Sequence, residues 1–488
     1  MTLVATPLAA PEPPIPEEDA ETQLVDRASA GARLLTARGV GMRVVSVASN
    51  VALLALVTPA DLGLLAVVRG LTALAGNTTD LGFAWALLRR PETPTRQEFA
   101  ALSGIQLSIV LGLLLVALAE PAWLARVAAV APEWRWWLLA VLATTLTVPF
   151  GTSAKIRIER QLDYRRIAFY DVSSVLLLNL SLLGFALAGK FAIGVFLATG
   201  GIILYSNILL WLWSPGPMPA FRPKHWRRLA GEFAGFSAGH GCYLLFTSAT
   251  PIVIANLFGL PVAGLWSFAS RLGNILQVTF EGFRRAAVPA AALLSRSDEG
   301  LRRLAEDSLL GAVRLTVPVV AAMFAALPAV PLLWPRWEAA VPVSQLYLLG
   351  FALGGLASAA LVPAAVARRG ASVVVAEQLT PMVVGWLGFV ALWLAGLHNV
   401  GWVVLPMYLA QVAALWHITE SGIRPHWRPE FSRMLFALAA VVTCTVVGQL
   451  RAWPAIGTAA VSAVLFAVIS DLPRMFPRMW AARRARSA

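Results

Sequence analysis

Apolar stretches of about 20 residues recur along most of the chain, and short polar segments separate them. A helix of that length crosses the roughly 30 Å hydrocarbon core of a bilayer. We therefore predict an all-α polytopic membrane protein with about fourteen transmembrane helices. The predicted spans are 34–57, 62–87, 99–119, 136–154, 167–188, 191–213, 233–257, 261–283, 309–332, 342–366, 372–396, 400–420, 434–451 and 454–472.

The eighth predicted span carries a polar stripe. Arg271, Asn274, Gln277 and Glu281 follow one another at helical spacing, so they fall on one side of one helix. A charge at the bilayer centre costs about 3 kcal/mol or more, so such a stripe should face protein or water. We predict that this helix lines a water-filled cavity and that the other helices pack around it.

Composition agrees with a membrane protein. The chain is 58% hydrophobic and 13% charged, whereas a soluble domain carries about 25% charged residues. A net charge of +13 could indicate nucleic-acid binding, but the basic residues lie in short loops between apolar spans, so no nucleic-acid partner is predicted. Cys242 and Cys444 lie in apolar runs far apart, and we predict neither a metal nor a cofactor.

The loop charges set the predicted orientation. If the N-terminus is cytoplasmic, most loop and tail Arg and Lys residues fall on the cytoplasmic side, and both termini lie there. The basic residues left on the opposite side are Arg126, Arg135, Lys190, Arg336 and Arg451.

Two segments share a layout at an offset of 201 residues, 56–82 and 257–283. Gly63 aligns with Gly264, Asp80 aligns with Glu281, and Arg69 falls one position from Arg271. The two halves would then have the same orientation, related by an axis along the membrane normal. The chain is predicted to begin with a Pro-rich acidic disordered arm, 1–33. Two pseudo-symmetric six-helix bundles follow, 34–220 and 221–430. Two extra helices at 431–474 and a basic tail at 475–488 complete the predicted organisation.

Several motifs, in this order, resemble one transporter family. They are Leu56–Gly63, Asp80-Leu81-Gly82 followed by Arg89-Arg90, Glu159–Arg165, Gly264–Leu272, and Pro289 with Ser295–Glu299. Together they resemble the polysaccharide transporter family, the Wzx-type lipid-linked oligosaccharide flippases of the MOP/MATE-like exporter superfamily. From about residue 370 the resemblance is in hydropathy alone.

The resemblance implies a MATE-like fold and a function as a transporter rather than an enzyme. The expected cargo is an undecaprenyl-diphosphate-linked oligosaccharide, moved across the bacterial cytoplasmic (inner) membrane for O-antigen or exopolysaccharide biosynthesis. The resemblance also implies alternating access between two bundles, coupled to H⁺ or Na⁺. The expected partners are membrane lipids and the polysaccharide polymerase and export machinery, with the transporter itself a monomer.

Such a cargo suggests specific residues. A diphosphate needs cations, and Arg pairs with phosphate oxygens bidentately. The candidates for this cationic cavity are Arg271, Arg69, Arg43, Asn274 and Gln277. The candidates for ion coupling are the carboxylates Glu377, Asp80 and Glu281. The alternative is structural: the arginines snorkel to the interface or pair with Asp80 and Glu281.

Other functions remain possible for the same helices. One is a multidrug or peptidoglycan-precursor (lipid II) exporter of the same fold. A different class is a membrane glycan polymerase or ligase, which typically carries a large outer loop with catalytic polar residues. The longest predicted outer loop, 120–135, holds neither His nor Asp, which disfavours such an enzyme.

Overall fold

The computed structural model describes residues 48–80, 94–161, 163–221, 223–370, 372–426 and 429–450, with a few single residues at 39–46 and 461–466. Most of these residues lie in helices, and there is no strand among them. Eleven of their helices are long and apolar enough to cross a membrane. The main helices are α1 Pro59–Asp80, α2 Arg96–Ala119, α3 Arg135–Thr144, α4 Val148–Arg160, α5 Tyr164–Leu187, α6 Phe191–Trp213, α7 Pro223–Phe258, α8 Leu260–Leu293, α9 Asp298–Ala326, α10 Ala340–Arg369, α11 Ser372–Leu394, α12 Val404–Ile418 and α13 Pro429–Leu450.

These helices correspond to the twelve predicted spans 2–13, with α3 and α4 forming the fourth span on either side of a 3₁₀ turn at Thr145–Thr147. Eleven of the twelve are the long apolar helices just counted, and α8, which carries the polar stripe, is the twelfth. Several helices extend beyond the predicted bounds. Helix α9 begins eleven residues before its predicted start, and α8 continues ten residues beyond its predicted end, through the charged residues after 283 to Leu293. The arm 1–33, the tail 475–488 and all of predicted span 14 except a few helical residues at 461–466 lie outside the described residues, and a total of fourteen stays a prediction.

Local polar residues determine where several helices begin. The Thr58 hydroxyl donates to Asp61 Oδ2 at 2.7 Å just before α1, and Thr95 forms a capping box with Glu98 at the start of α2. Ser297 accepts from the Gly300 amide at the start of α9. Each cap satisfies backbone amides that the first helical turn leaves unpaired. The capping residues therefore start these helices close to the point where the apolar runs begin.

The two halves meet along α1, which packs against both α7 and α8. At the start of these helices Gly63 and Gly264 lie against each other. A Cβ added at Gly63 would overlap the carbonyl oxygen of Leu260, and one at Gly264 would overlap that of Pro59. Residues 59 and 63 thus contact residues 260 and 264 reciprocally, at the offset of 201 seen in the sequence. Reciprocal contacts of this kind are expected at a two-fold axis between related halves.

More contacts between the halves lie at the same end of the molecule, which the loop charges predict to be the outer side. Asn256 of α7 donates to the Val127 carbonyl at 2.6 Å, and the Trp337 indole donates to the Leu54 carbonyl at 3.1 Å. Arg336 also bonds the Ala55 carbonyl. These side-chain to backbone bonds close the predicted outer side.

Trp337 should contribute strongly to stability. Its side chain is fully buried and packs 5.5 Å from the Phe268 ring. Trp337→Ala removes both this packing and the bond to Leu54, so we expect a loss of about 3 kcal/mol or more and a clearly lower Tm in detergent. Trp136→Ala is the control, because Trp136 is 59% exposed. Equal Tm values for the two variants would contradict the assigned role of Trp337.

The segment between the halves is attached to the N-terminal half. The Ala220 amide donates to the Ala100 carbonyl at 2.9 Å, and Arg157 donates to the Pro215 carbonyl at 2.7 Å. Trp226, in the first turn of α7, donates to the Ala101 carbonyl at 3.1 Å. The connection and the start of α7 are therefore held against α2 and α4.

Candidate functional site

Two arginines from the two halves approach each other near mid-membrane depth. Arg69 lies about 15 Å along α1 from Pro59, and Arg271 lies about 17 Å along α8 from Leu260. Since the hydrocarbon core is about 30 Å thick, both lie near its middle. Helix α1 packs against α8, so both side chains belong to the boundary between the two halves.

The partner that the structure gives for Arg271 is uncharged. Arg271 bonds the side-chain oxygen of Asn50, and the Arg69 side chain is exposed. Within the part of the chain that the structure describes, neither guanidinium pairs with a carboxylate. The predicted alternative in which Arg271 pairs with Glu281 is therefore not what the structure shows. Two unpaired cations at this depth can bind an anion.

Two of the predicted site residues cannot be placed with them. Arg43 lies outside the described residues, and so does the side chain of Asp80. Their assignments to the cationic cavity and to ion coupling stay predictions.

The rest of the polar stripe on α8 faces a different space. Asn274, Gln277 and Glu281 line a cavity of about 360 Å³. Its walls come from α7, α8, α10, α11 and α12, all in the C-terminal half. The Gln277 amide donates to the Tyr243 hydroxyl at 3.1 Å across it. The prediction that the stripe lines a cavity therefore holds for these three residues, while Arg271 lies beside Arg69 between the halves.

Glu377 of α11 lies in the wall of the same cavity and is 2% exposed. One carboxylate oxygen contacts the Ser358 hydroxyl and accepts from Arg284 at 3.3 Å. The other oxygen has no partner in the described part of the chain. A buried carboxylate with a single cation and one unsatisfied oxygen is costly to maintain, which indicates a role beyond packing.

Sequence reasoning missed Arg284, Ser358 and Gln411. The predicted eighth span ends at 283, one residue before Arg284, but α8 continues past this residue, and the Arg284 side chain reaches Glu377. The signal was present, because Arg284 follows Gln277 and Glu281 at helical spacing. Ser358 and Gln411 lie in apolar helices, and their sequence positions do not distinguish them from polar residues that only bond within the membrane.

The fold is that of a known class of membrane transporters. It is similar to the solved structure of "Lipid II flippase MurJ, inward closed conformation", with a TM-score of 0.67 and 11% identity over 90% of this chain and 98% of that one. It is also similar to an inward-facing multidrug resistance MATE family transporter of the MOP superfamily, with a TM-score of 0.54 and 13% identity over 82% and 95% of the two chains. The predicted MATE-like fold is confirmed.

A family model described as "Polysaccharide biosynthesis protein" matches residues 53–342, which is more than half of the chain. The chain belongs to that family, which confirms the resemblance drawn from its motifs. No curated protein matches it. Its long apolar helices make it a multi-pass membrane protein, and its family is one of polysaccharide biosynthesis.

Proposed function

We propose that this protein moves an undecaprenyl-diphosphate-linked oligosaccharide across the bacterial cytoplasmic membrane, with both termini on the cytoplasmic side. The observation that carries the proposal is the pair Arg69 and Arg271, two cations from opposite halves with no carboxylate partner among the described residues. A diphosphate presents oxygens that guanidinium groups bind bidentately. The family and the fold support a carrier rather than an enzyme.

The position of these cations between the halves supports alternating access. Arg69 belongs to α1 and Arg271 to α8, so a diphosphate bound to both would bridge the two halves. On the predicted outer side, the contact at Gly63 and Gly264 closes the path above them. In this arrangement the head group enters from the cytoplasmic side while the lipid tail stays in the bilayer. Opening of the glycine contact would then release it outward.

A substrate assay tests this proposal directly. Deletion of the gene should cause one lipid-linked glycan to accumulate in the inner leaflet, and its identification by mass spectrometry names the cargo. Purified protein in proteoliposomes should then translocate that glycan. Accumulation of lipid II, or of no lipid-linked species, would contradict the proposed cargo, and export of drug cations alone would support a multidrug exporter.

We assign ion coupling to Glu377 in preference to Glu281, which is exposed, and to Asp80. Binding of H⁺ to the Glu377 carboxylate would weaken its bond to Arg284 at 3.3 Å. Because Arg284 belongs to α8, such an event would act on the helix that also carries Arg271. The ion and the cargo would then be linked through one helix.

Glu377→Gln keeps the shape of the side chain but removes its charge and its exchangeable proton. We expect transport in proteoliposomes to fall by about tenfold or more and to lose its response to an imposed H⁺ gradient. Glu306→Gln is the matched control, because Glu306 is also a buried carboxylate, bonded to Arg302 at 3.0 Å outside the cavity. A Glu377→Gln protein that still responds to the gradient would exclude this carboxylate from coupling.

A further inference from the structure

The cavity inside the C-terminal half contains more hydrogen-bond acceptors than its own walls satisfy. Gln411 is 6% exposed, and its side-chain oxygen has no partner in the described chain; the second oxygen of Glu377 has none either. A buried polar atom without a partner costs about 1–3 kcal/mol. Two such acceptors in one cavity indicate a ligand that donates hydrogen bonds.

Two prolines add to this excess. Pro251 of α7 and Pro381 of α11 both line the cavity. Proline has no amide hydrogen, so the carbonyl four residues earlier loses its usual helical partner. Those carbonyls belong to Thr247 and Glu377, which also line the cavity. The walls on α7 and α11 therefore offer backbone acceptors as well as side-chain acceptors.

The charge of the cavity favours a neutral donor over a metal cation. The Glu377 carboxylate already faces the Arg284 guanidinium at 3.3 Å. A cation placed beside the free oxygen of Glu377 would be repelled by that guanidinium. A hydroxyl or an amide N–H can donate to Gln411 and Glu377 without this cost.

One wall of the cavity is aromatic. The rings of Tyr347 and Phe351 are stacked 5.7 Å apart, and Trp266 and Tyr408 pack edge-on against this pair at 5.1 and 5.6 Å. Aromatic side chains combine a large apolar surface with polar groups in Tyr and Trp. A sugar ring has the matching character, with C–H groups on its faces and hydroxyls at its edge.

We propose that this cavity binds the sugar nearest the diphosphate, while Arg69 and Arg271 bind the diphosphate. The inference rests on the proposed function and adds a second subsite to it. Helix α8 links the two subsites, because Ser270 and Asn274 line the cavity while Arg271, between them in sequence, faces Asn50. The cavity volume of about 360 Å³ lies in the range of roughly 300–1,000 Å³ typical of small-ligand pockets.

The test measures how much a sugar adds to diphosphate binding. The full chain in nanodiscs is titrated with farnesyl diphosphate and with farnesyl-diphosphate-linked glucose, galactose and N-acetylglucosamine. We expect at least one sugar-linked probe to bind about tenfold or more tightly than farnesyl diphosphate. If no sugar improves binding, the sugar subsite does not exist. If farnesyl diphosphate itself fails to bind, the proposed function is wrong, and this inference with it.

Variants then locate the subsite. Gln411→Leu and the more exposed Asn274→Leu should each remove most of the gain from the sugar while leaving farnesyl diphosphate binding within about twofold. Arg271→Ala should weaken both kinds of probe. Gln106→Leu is the matched control, because Gln106 is also buried with an unpartnered amide but lies in α2, away from the cavity.

A Na⁺ titration distinguishes a sugar subsite in this cavity from a cation site. Tm is measured in NaCl and in choline chloride for the unmodified chain and for Gln411→Leu. The sugar subsite predicts no Na⁺-specific stabilisation that depends on Gln411. Loss of such stabilisation in Gln411→Leu, with the gain from the sugar unchanged, would assign the cavity to a cation and overturn the proposal. The proposal would also be overturned if Gln411→Leu and Asn274→Leu both kept the full gain in affinity that the sugar provides.

Discussion

Arg271→Ala and Arg69→Ala should each reduce glycan export by more than about tenfold, and the double variant should abolish it. Each substitution removes a cation that no carboxylate in the described chain neutralises, so the loss falls on anion binding rather than on an internal ion pair. The measurement is complementation of the deletion strain, scored as surface glycan at matched protein level in the membrane.

Lysine variants separate charge from geometry. Arg271→Lys keeps the positive charge but loses the planar, bidentate donor set, so we expect it to restore only part of the export. Arg126→Ala serves as the control, because Arg126 is highly exposed and paired with Glu120 at 3.6 Å. Normal export by Arg69→Ala and Arg271→Ala at normal protein levels would remove the cationic site from the mechanism.

Gly63→Ala and Gly264→Ala should also have large effects. A methyl group at either position would overlap a backbone carbonyl of the opposite half, and backbone cannot move aside as a flexible side chain can. The start of α1 would have to separate from the start of α8. We expect export to fall by about tenfold or more, because the predicted outer side can no longer close fully.

This separation is measurable. In a background without Cys242 and Cys444, a cysteine at Asn50 reports access to the level of Arg271. Gly63→Ala and Gly264→Ala should increase its labelling by a membrane-impermeant reagent added from outside the cell. Gly201→Ala is the matched control, since a Cβ there meets nothing within 4 Å. If all three alanine variants behave alike, the glycine contact does not control closure.

The apolar runs predicted most helices because burial in a bilayer imposes a length and a composition that local sequence reveals. A charge within such a run needs a polar surrounding, which singled out Arg271. The sequence did not show that Arg271 lies apart from Asn274 and Gln277, outside the cavity that they line. The offset of 201 residues aligned Gly63 with Gly264. It did not show that they touch, because contact depends on how the halves pack.

The site inside the C-terminal half was less accessible to sequence reasoning. Glu377 stood out as a carboxylate in an apolar run, but its partner Arg284 belongs to a helix 93 residues away in sequence. The unpartnered oxygen of Gln411 depends on the packing of several helices around it. Such relations come from tertiary packing and leave no periodic pattern in the chain.

The attachment of the connecting segment has a mechanical consequence. The first turn of α7 is bonded to α2 through Trp226, whereas the later turns of the same helix form part of the cavity wall in the other half. Helix α7 is thus anchored to both lobes, and any rocking between them must flex it. Pro251, which interrupts its ladder of backbone bonds, is the position where that flexing costs least. If the two halves move as proposed, we expect the hinge to lie within this membrane helix, beside the cavity, rather than in the loop that joins the halves.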